Sequence, residues 1–222
     1  MKSMRNYIGE QVKLEVSGKS RHKGVLVDIG SDIIVLFNGE DFLYIPFVHI
    51  QNFQLNTEEN EEIKVTGEAP INKQSEEISL RKVLNNARGV FAEIFVTGNQ
   101  SIHGYVTSVL NNYFVFYSPV YQTMFIPLNH LKWLIPYNQN QTPYKLTNQH
   151  FLVNPSNLTL ARTFDEQLKK LVGKIVVFDL GGNAAKIGQL QMIENNFVHL
   201  ISAREKVIYL NIHHIKTVHL PT

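Results

Sequence analysis

Three histidines occupy the same place near the end of three similar segments: His49, His130 and His214. Imidazoles in equivalent positions could bind a metal ion or act as a pH-sensitive group, because histidine titrates near neutral pH and is a common metal ligand. A repeated residue can equally serve structure, since a histidine beside a strand can bond a neighbouring carbonyl. We favour the structural role, and we predict no metal, no cofactor and no catalytic residue in this chain.

Other groups that could carry chemistry have simpler explanations. His213 adjoins His214, and because adjacent side chains on a strand face opposite ways, the two are not expected to chelate one ion. Gly181-Gly182-Asn183 leads into a predicted strand, whereas a phosphate-binding loop needs Gly-Lys-Ser/Thr ahead of a helix. Asp28 and Asp32 each lie beside a turn, where aspartate is common. The sequence therefore predicts a protein that is not an enzyme.

The middle of the chain is rich in aromatic residues. Such rings could stack on nucleobases, or they could build a protein core. Alternation places apolar side chains on both faces of the strand around Phe116, so that strand is either buried on both sides or forms a contact surface. We favour the second alternative, a protein–protein contact surface, formed by Tyr113, Phe116, Tyr117 and Trp133.

A basic loop lies in the first segment, at Lys19, Arg21, His22 and Lys23. It could touch phosphate, but the matching loops of the other two segments are far less basic, and an RNA site built on a repeat should recur. The formal net charge is only +2, well short of the footprint of a nucleic-acid-binding protein. We interpret the loop as a solvated tip and do not expect a nucleic-acid partner.

The elements that must position these residues repeat three times. Glycines recur with the same nine- and six-residue spacing, and each set is followed by a similar closing segment that contains one of the three histidines. A fixed repeat of this kind indicates one small unit used several times. We predict that the shared positions are structural: Gly9, Gly18 and Gly24, then Gly89, Gly98 and Gly104, then Gly173, Gly182 and Gly188, with His49, His130 and His214.

Each of the three modules contains five short runs with the pattern of strands, separated by turn residues. This predicts a mainly β protein with three tandem, small, five-stranded SH3-like or Sm-like barrels. The glycine at the start of each second strand suits a sharp bend. Short capping helices are predicted ahead of modules two and three, at the capping box Thr163-Phe-Asp-Glu166 and after Ser75.

These signals divide the chain into five parts. The stretch before the second module is acidic and contains Gly67 and Pro70, so we expect it to be flexible. The predicted parts are barrel repeat 1 at 1–56, the acidic linker at 57–74, a helix plus barrel repeat 2 at 75–137, a linker with Asn, Gln and Pro at 138–162, and a helix plus barrel repeat 3 at 163–222.

The composition narrows the class of protein. A hydrophobic fraction of 44% with 18% charged residues indicates an ordered globular chain. The absence of cysteine excludes a disulfide scaffold and thiolate chemistry. The N-terminal residues lack the apolar core of a signal peptide, and no run approaches the roughly 20 apolar residues that span a bilayer. We expect a protein made in the cytoplasm, with no membrane partner.

The end of the third module carries a resemblance. It closes with Val207-Ile-Tyr-Leu-Asn-Ile-His-His-Ile-Lys-Thr-Val218, and its first loop combines Gly181-Gly182 with Gly188. This pattern resembles the repeats of the spore coat protein B family of endospore-forming bacilli, most specifically at Asn211-Ile-His-His-Ile-Lys216. Two features depart from that family: the double glycine occurs only in the third module, and the long C-terminal tail rich in Ser, Lys and Arg has no counterpart here. No role of that tail, phosphorylation included, is carried over.

The resemblance implies a non-enzymatic structural component of the outer spore coat. Such a protein would be made in the mother-cell cytoplasm during sporulation and deposited on the spore surface through multivalent contacts. Its partners would be other spore coat proteins, or further copies of itself. The alternative is an Sm-like RNA-binding protein, which would bind oligonucleotides with a strong dependence on salt.

Overall fold

The computed structural model describes residues 4–57, 63–71, 77–97, 100–138, 141, 143–145 and 159–221. Within these residues the protein is mainly β, as predicted: fifteen antiparallel strands form one sheet, accompanied by two short α-helices and several 3-10 turns. In this described part of the chain, none of the helices combines the length and the apolar character that crossing a bilayer requires.

The first module begins with a 3-10 turn at Met4–Tyr7 and contains β1 (Gln11–Val16), β2 (Ser20–Ile29), β3 (Ile33–Phe37), β4 (Phe42–Pro46) and β5 (Ile50–Leu55). The second contains α1 (Leu80–Asn86), β6 (Phe91–Phe95), β7 (Ile102–Val109), β8 (Tyr113–Ser118), β9 (Gln122–Pro127) and β10 (Trp133–Pro136). The third contains α2 (Phe164–Lys169), β11 (Ile175–Phe178), β12 (Ile187–Glu194), β13 (Phe197–Ile201), β14 (Val207–Asn211) and β15 (Val218–His219).

In each module a 3-10 turn separates the fourth strand from the fifth, at Phe47–His49, Leu128–His130 and Ile212–His214. The order of strands across the sheet is β14-β13-β12-β11-β15-β9-β8-β7-β6-β10-β4-β3-β2-β1-β5. The closure of each module into a separate barrel is not confirmed. The sheet stays open, because the fourth strands β4 and β9 pair with the fifth strand of the next module, β10 and β15, and not with their own.

The recurring glycine in each second strand marks a close approach of two backbones, and the prediction that it starts the strand is wrong for Gly24, which lies in the middle of β2. A Cβ atom built on Gly24, Gly104 or Gly188 would overlap the carbonyl oxygen of the facing strand, at Phe37, Tyr117 and Ile201 respectively. Just after each of these glycines the register shifts by a β-bulge, between Leu26 and Asp28, Val106 and Ser108, and Leu190 and Met192. A bulge bends a strand and increases its twist, and each bulge begins two residues after the glycine.

The other recurring glycines that the structure describes lie outside the strands. Gly9, Gly89, Gly173 and Gly18 have positive φ, in the left-handed region that favours glycine. A Cβ on Gly182 would meet only ordinary contact, and Gly98 lies outside the described residues.

Both helices begin at residues capped by the preceding module. The backbone N–H of Leu80 donates to Asp32 Oδ1 at 2.7 Å, and that of Phe164 donates to Asn112 Oδ1 at 2.8 Å. The capping-box prediction at Thr163 is right about where the helix begins and wrong about the bond, since the threonine side chain makes no capping hydrogen bond. The predicted start of the first helix is also displaced: Ser75 lies outside the described residues, and α1 is capped by Ser79.

The described residues form three hydrophobic core clusters, and each crosses a module boundary. The first contains most buried residues of module one together with Trp133 from β10. The second joins one face of β3 and Tyr44 to α1 and module two. The third joins Tyr113 and Phe125 to α2 and module three. Ile71, in the stretch predicted to be a flexible linker, is buried in the second cluster, and its N–H donates to the Tyr44 hydroxyl at 3.0 Å.

Candidate interaction surface

The two junctions between modules are built in the same register. At the first, Leu134 of β10 lies opposite Tyr44 of β4. At the second, Val218 of β15 lies opposite Phe125 of β9. Leu134 and Val218 both stand four residues after the recurring histidine of their modules, and Tyr44 and Phe125 both stand five residues before theirs. The chain therefore forms the same strand-to-strand interface twice.

The predicted aromatic contact surface is not exposed in this chain. Tyr113, Phe116, Tyr117 and Trp133 are all buried, and Phe116 lies in the second core cluster. The Tyr113 hydroxyl donates to the carbonyl of Ala161 at 2.8 Å. The alternative, a strand buried on both faces, is correct: one face of β8 packs in its own module and the other packs on module three.

Trp133 is nevertheless a contact residue between modules. Its ring stacks on Phe95 with centroids 4.2 Å apart, and the ring of His22 meets it edge-on at 4.6 Å. Arg21, His22 and Lys23 lie in β2 and not in a loop, and His22 and Lys23 are half-buried, so the interpretation as a solvated tip is wrong for these two residues. Lys19 and Arg21 are exposed. Arg21 lines an open cavity of about 510 Å³ with Lys13, Glu15 and Lys23.

The three recurring histidines lie on the 3-10 turns near the ends of successive modules. His49 is buried, His130 is half-buried and His214 is exposed. The Nε2–H of His130 donates to the backbone carbonyl oxygen of His213 in the next module, at a distance of 3.0 Å. Within the described residues no group of three or more His, Cys, Asp or Glu side chains is arranged to hold a metal ion.

The environment of the two covered histidines favours the neutral imidazole. Burial lowers the pKa of His49, and the carbonyl of Asn129 partly opposes that shift. Nδ1 of His49 lies 2.8 Å from Ser17 Oγ, while its buried Nε2 has no hydrogen-bond partner in the described part of the chain. Burial also lowers the pKa of His130, and the His213 carbonyl opposes it.

Of the other sequence candidates, Asn183 and Asp32 lie between strands, whereas Asp28 lies within β2 at its bulge. Asn183 Oδ1 accepts from the N–H of Ala185 at 2.9 Å and begins a 3-10 turn at Ala184–Lys186. Asp28 Oδ1 accepts from the N–H of Ile29, and Asp32 caps α1. His213 and His214 lie on a 3-10 turn and not on a strand, so the alternation argument used for them is wrong.

Sequence reasoning missed the side chains that anchor each helix to the preceding module: Asp32 accepts from the first residue of α1, and Asn112 accepts from the first residue of α2. A signal was present: both stand directly ahead of the third strand of their modules, and each is a short polar residue able to accept a backbone N–H. Asn196 holds the same position in the third module. The carbonyls of all three accept an equivalent bond, from the N–H of Phe47, Leu128 and Ile212.

The two outer strands of the sheet differ from their covered counterparts. Tyr44 and Phe125 are 0% and 1% exposed beneath the next module, whereas Tyr209, at the same position in β14, is 61% exposed. At the opposite end, β5 carries the half-buried Phe53 where Leu134 and Val218 are buried. An outer strand presents unpaired N–H and C=O groups that a further strand can join. These two edges are the candidate interaction surface.

Comparison with known proteins places the chain in a family. A family model described as the YwrJ third domain matches residues 163–218. A Bacillus subtilis (strain 168) protein described as uncharacterized protein YwrJ is 42% identical over 225 residues, which cover 100% of both chains. Spore coat protein B of the same strain is 24% identical over 142 residues, 64% of this chain and 35% of that protein. The resemblance seen at the sequence level is thus partial and more distant, and the chain belongs to the YwrJ family.

Proposed function

We propose that this protein is a non-enzymatic structural component of the spore coat, acting through multivalent protein–protein contacts. The observation that carries the proposal is the similarity to spore coat protein B over 142 residues. It would be made in the mother-cell cytoplasm during sporulation and deposited on the spore, where its partners are other coat proteins and further copies of itself.

The architecture supports an assembly role. The sheet ends in two strands whose outer edges are unpaired within the described residues, β5 and β14. Addition of a strand to an exposed edge is a common mode of protein recognition, in which main-chain hydrogen bonds supply affinity and side chains supply specificity. A protein with one such edge at each end can contact two neighbours at once, as a component of a shell requires.

The test is the localisation of the full-length protein, fused to a fluorescent protein, in its native host through sporulation. We expect expression to begin in the mother cell and the signal to form a shell around the forespore that persists on the released spore. The control is the fluorescent protein alone, expressed from the same promoter, because its signal shows the pattern that results when a protein is merely excluded from the forespore.

Diffuse fluorescence with expression in growing cells would overturn the proposal. In that case the RNA-binding alternative is examined by crosslinking in the same cells. A salt-dependent, crosslinked RNA would support that alternative, for which the cavity lined by Lys13, Arg21 and Lys23 is the first place to substitute.

A further inference from the structure

The two free edges of the sheet are the two halves of an interface that the chain already forms twice. At the internal junctions, a fourth strand meets the fifth strand of the next module. Within the described residues, β14, the fourth strand of the third module, pairs with no fifth strand, and β5, the fifth strand of the first module, pairs with no fourth strand. The free edge of one molecule is thus the counterpart of the free edge of another.

We propose that copies of this chain associate head to tail, with β14 of one molecule pairing antiparallel with β5 of the next. The internal register, carried over position by position, sets Tyr209 opposite Phe53 and Ile208 opposite Gln54. One residue further along, Leu55 faces Val207.

The exposed apolar residues on the two edges fit this pairing. Leu55 is 43% exposed and Val207 is 52% exposed, and both lie on strands at the edge of the sheet. Large apolar side chains that face each other across an antiparallel pair stabilise it. The residues equivalent to Tyr209 at the two internal junctions, Tyr44 and Phe125, are both buried, so the proposed pairing would bury Tyr209 as well.

A second contact lies outside the strands. At the internal junctions, Leu84 of α1 and Leu168 of α2 are fully buried in the clusters that cover the outer face of the preceding module. Met4 holds the same position, five residues before the first recurring glycine, and is 37% exposed. Phe197, the first residue of the third strand of module three, is exposed on the outer face of that module. Its equivalents in the first two modules, Ile33 and Tyr113, are buried. Met4 of the next molecule is therefore placed to cover Phe197.

His214 completes the comparison. His130 bonds the carbonyl of the residue before the next module's histidine, His213. Carried over to the proposed pairing, His214 meets the backbone carbonyl of Val48 in the neighbouring molecule. Within the described residues His214 is exposed, and the proposed pairing would cover it.

The contact joins two different surfaces, so each molecule uses one edge and offers the other. Such a heterologous interface gives a closed ring when the rotation between molecules closes, and an open filament when it does not. A symmetric pairing of β14 with β14 would stop at a dimer, whereas the head-to-tail pairing leaves one edge open for a further molecule. This difference makes the proposal testable.

The test uses the full-length protein and analytical ultracentrifugation. Wild type is expected to at least double its mass from 25.4 kDa as concentration rises. Leu55→Lys and Val207→Lys each place a charge on one exposed edge, which blocks strand addition, and each variant alone is expected to stay monomeric. Their equimolar mixture retains one intact β14 and one intact β5, so it is expected to form a 1:1 dimer and nothing larger.

Disulfide trapping checks the register. The chain has no cysteine, so the double variant Leu55→Cys/Val207→Cys is expected to form an intermolecular disulfide that reductant reverses. The matched control is Leu55→Cys/Met192→Cys, because Met192 is equally exposed but lies on β12, away from the edge. Circular dichroism confirms that each variant is folded.

Three results would overturn the pairing: a wild-type monomer at every soluble concentration, self-association of Leu55→Lys equal to that of wild type, or equal crosslinking of both cysteine pairs. The inference deepens the proposed function by naming one partner, but the two fail separately. Monomeric protein that still forms a shell on the forespore removes only the head-to-tail pairing. Head-to-tail assembly in solution with diffuse fluorescence in cells removes only the coat role.

Discussion

Substitution of Leu134 by alanine tests whether the modules form one folding unit. Leu134 is buried at the first junction, with Tyr44 opposite it on one side and Ile94 on the other. Removing three carbons at about 0.8 kcal/mol each gives about 2.4 kcal/mol, and the residual cavity raises a buried Leu→Ala change to about 3–5 kcal/mol. For a chain of this size, about 2–4 °C per kcal/mol predicts a fall in melting temperature of roughly 6–20 °C.

Scanning calorimetry measures the shift, and hydrogen exchange locates it. Because Leu134 belongs to module two and Tyr44 to module one, we expect faster exchange in β3 and β4 as well as in β10. Ile175→Ala is the matched control, since that side chain is 57% exposed on β11, and its shift should stay below about 2 °C. A comparably small shift for Leu134→Ala, or faster exchange confined to module two, would refute the reasoning.

Two further predictions concern backbone packing and pH. Gly104→Ala should lower the free energy of unfolding by about 1–3 kcal/mol in a denaturant titration, because the added Cβ overlaps the Tyr117 carbonyl. The control is Gly182→Ala, whose added Cβ meets nothing closer than 3.7 Å, and its free energy of unfolding should change by no more than about 0.5 kcal/mol. Equal losses for the two variants would contradict the steric argument. Burial lowers the pKa of four histidines below their ordinary value of 6.5: His22, His49, His130 and His219. As the pH drops, the unfolded chain therefore takes up protons before the folded chain does, and the melting temperature should fall between pH 7.5 and pH 5.5. A melting temperature that stays unchanged or rises over this range would contradict the prediction.

The local structure of each module was predictable from its residues. Alternating strands such as Gln11–Val16 and the turns between them follow from side-chain period and turn chemistry. The glycine at position 24 also has a local reason, because only glycine tolerates the approach of the facing carbonyl of Phe37. These features depend on neighbours that are close in the sequence, so a pattern in the sequence can record them.

The edge-to-edge pairing was not predicted, because no local pattern says which strand will lie beside β4. A weaker signal was available in the third strands. In β3 and β8 every residue is buried, whereas β13 carries His199 at the position of Val35 and Val115 and has exposed residues. Apolar residues on both faces of a strand indicate layers on both sides. The polar residue in β13 marked the third strand whose outer face is left partly uncovered by the described residues.

The insertion of β10 between β4 and β6 also has a consequence for synthesis. About 90 residues separate Tyr44 from its partner Leu134. At about 5–20 residues per second, roughly 5–20 s pass between the emergence of the first strand and that of the second. During that interval the first module holds an unsatisfied sheet edge beside the ribosome, and the second module does the same until β15 emerges. The repeats in the sequence are therefore not the units in which the chain completes its folding, and a chain cut short between modules would keep an open, aggregation-prone strand.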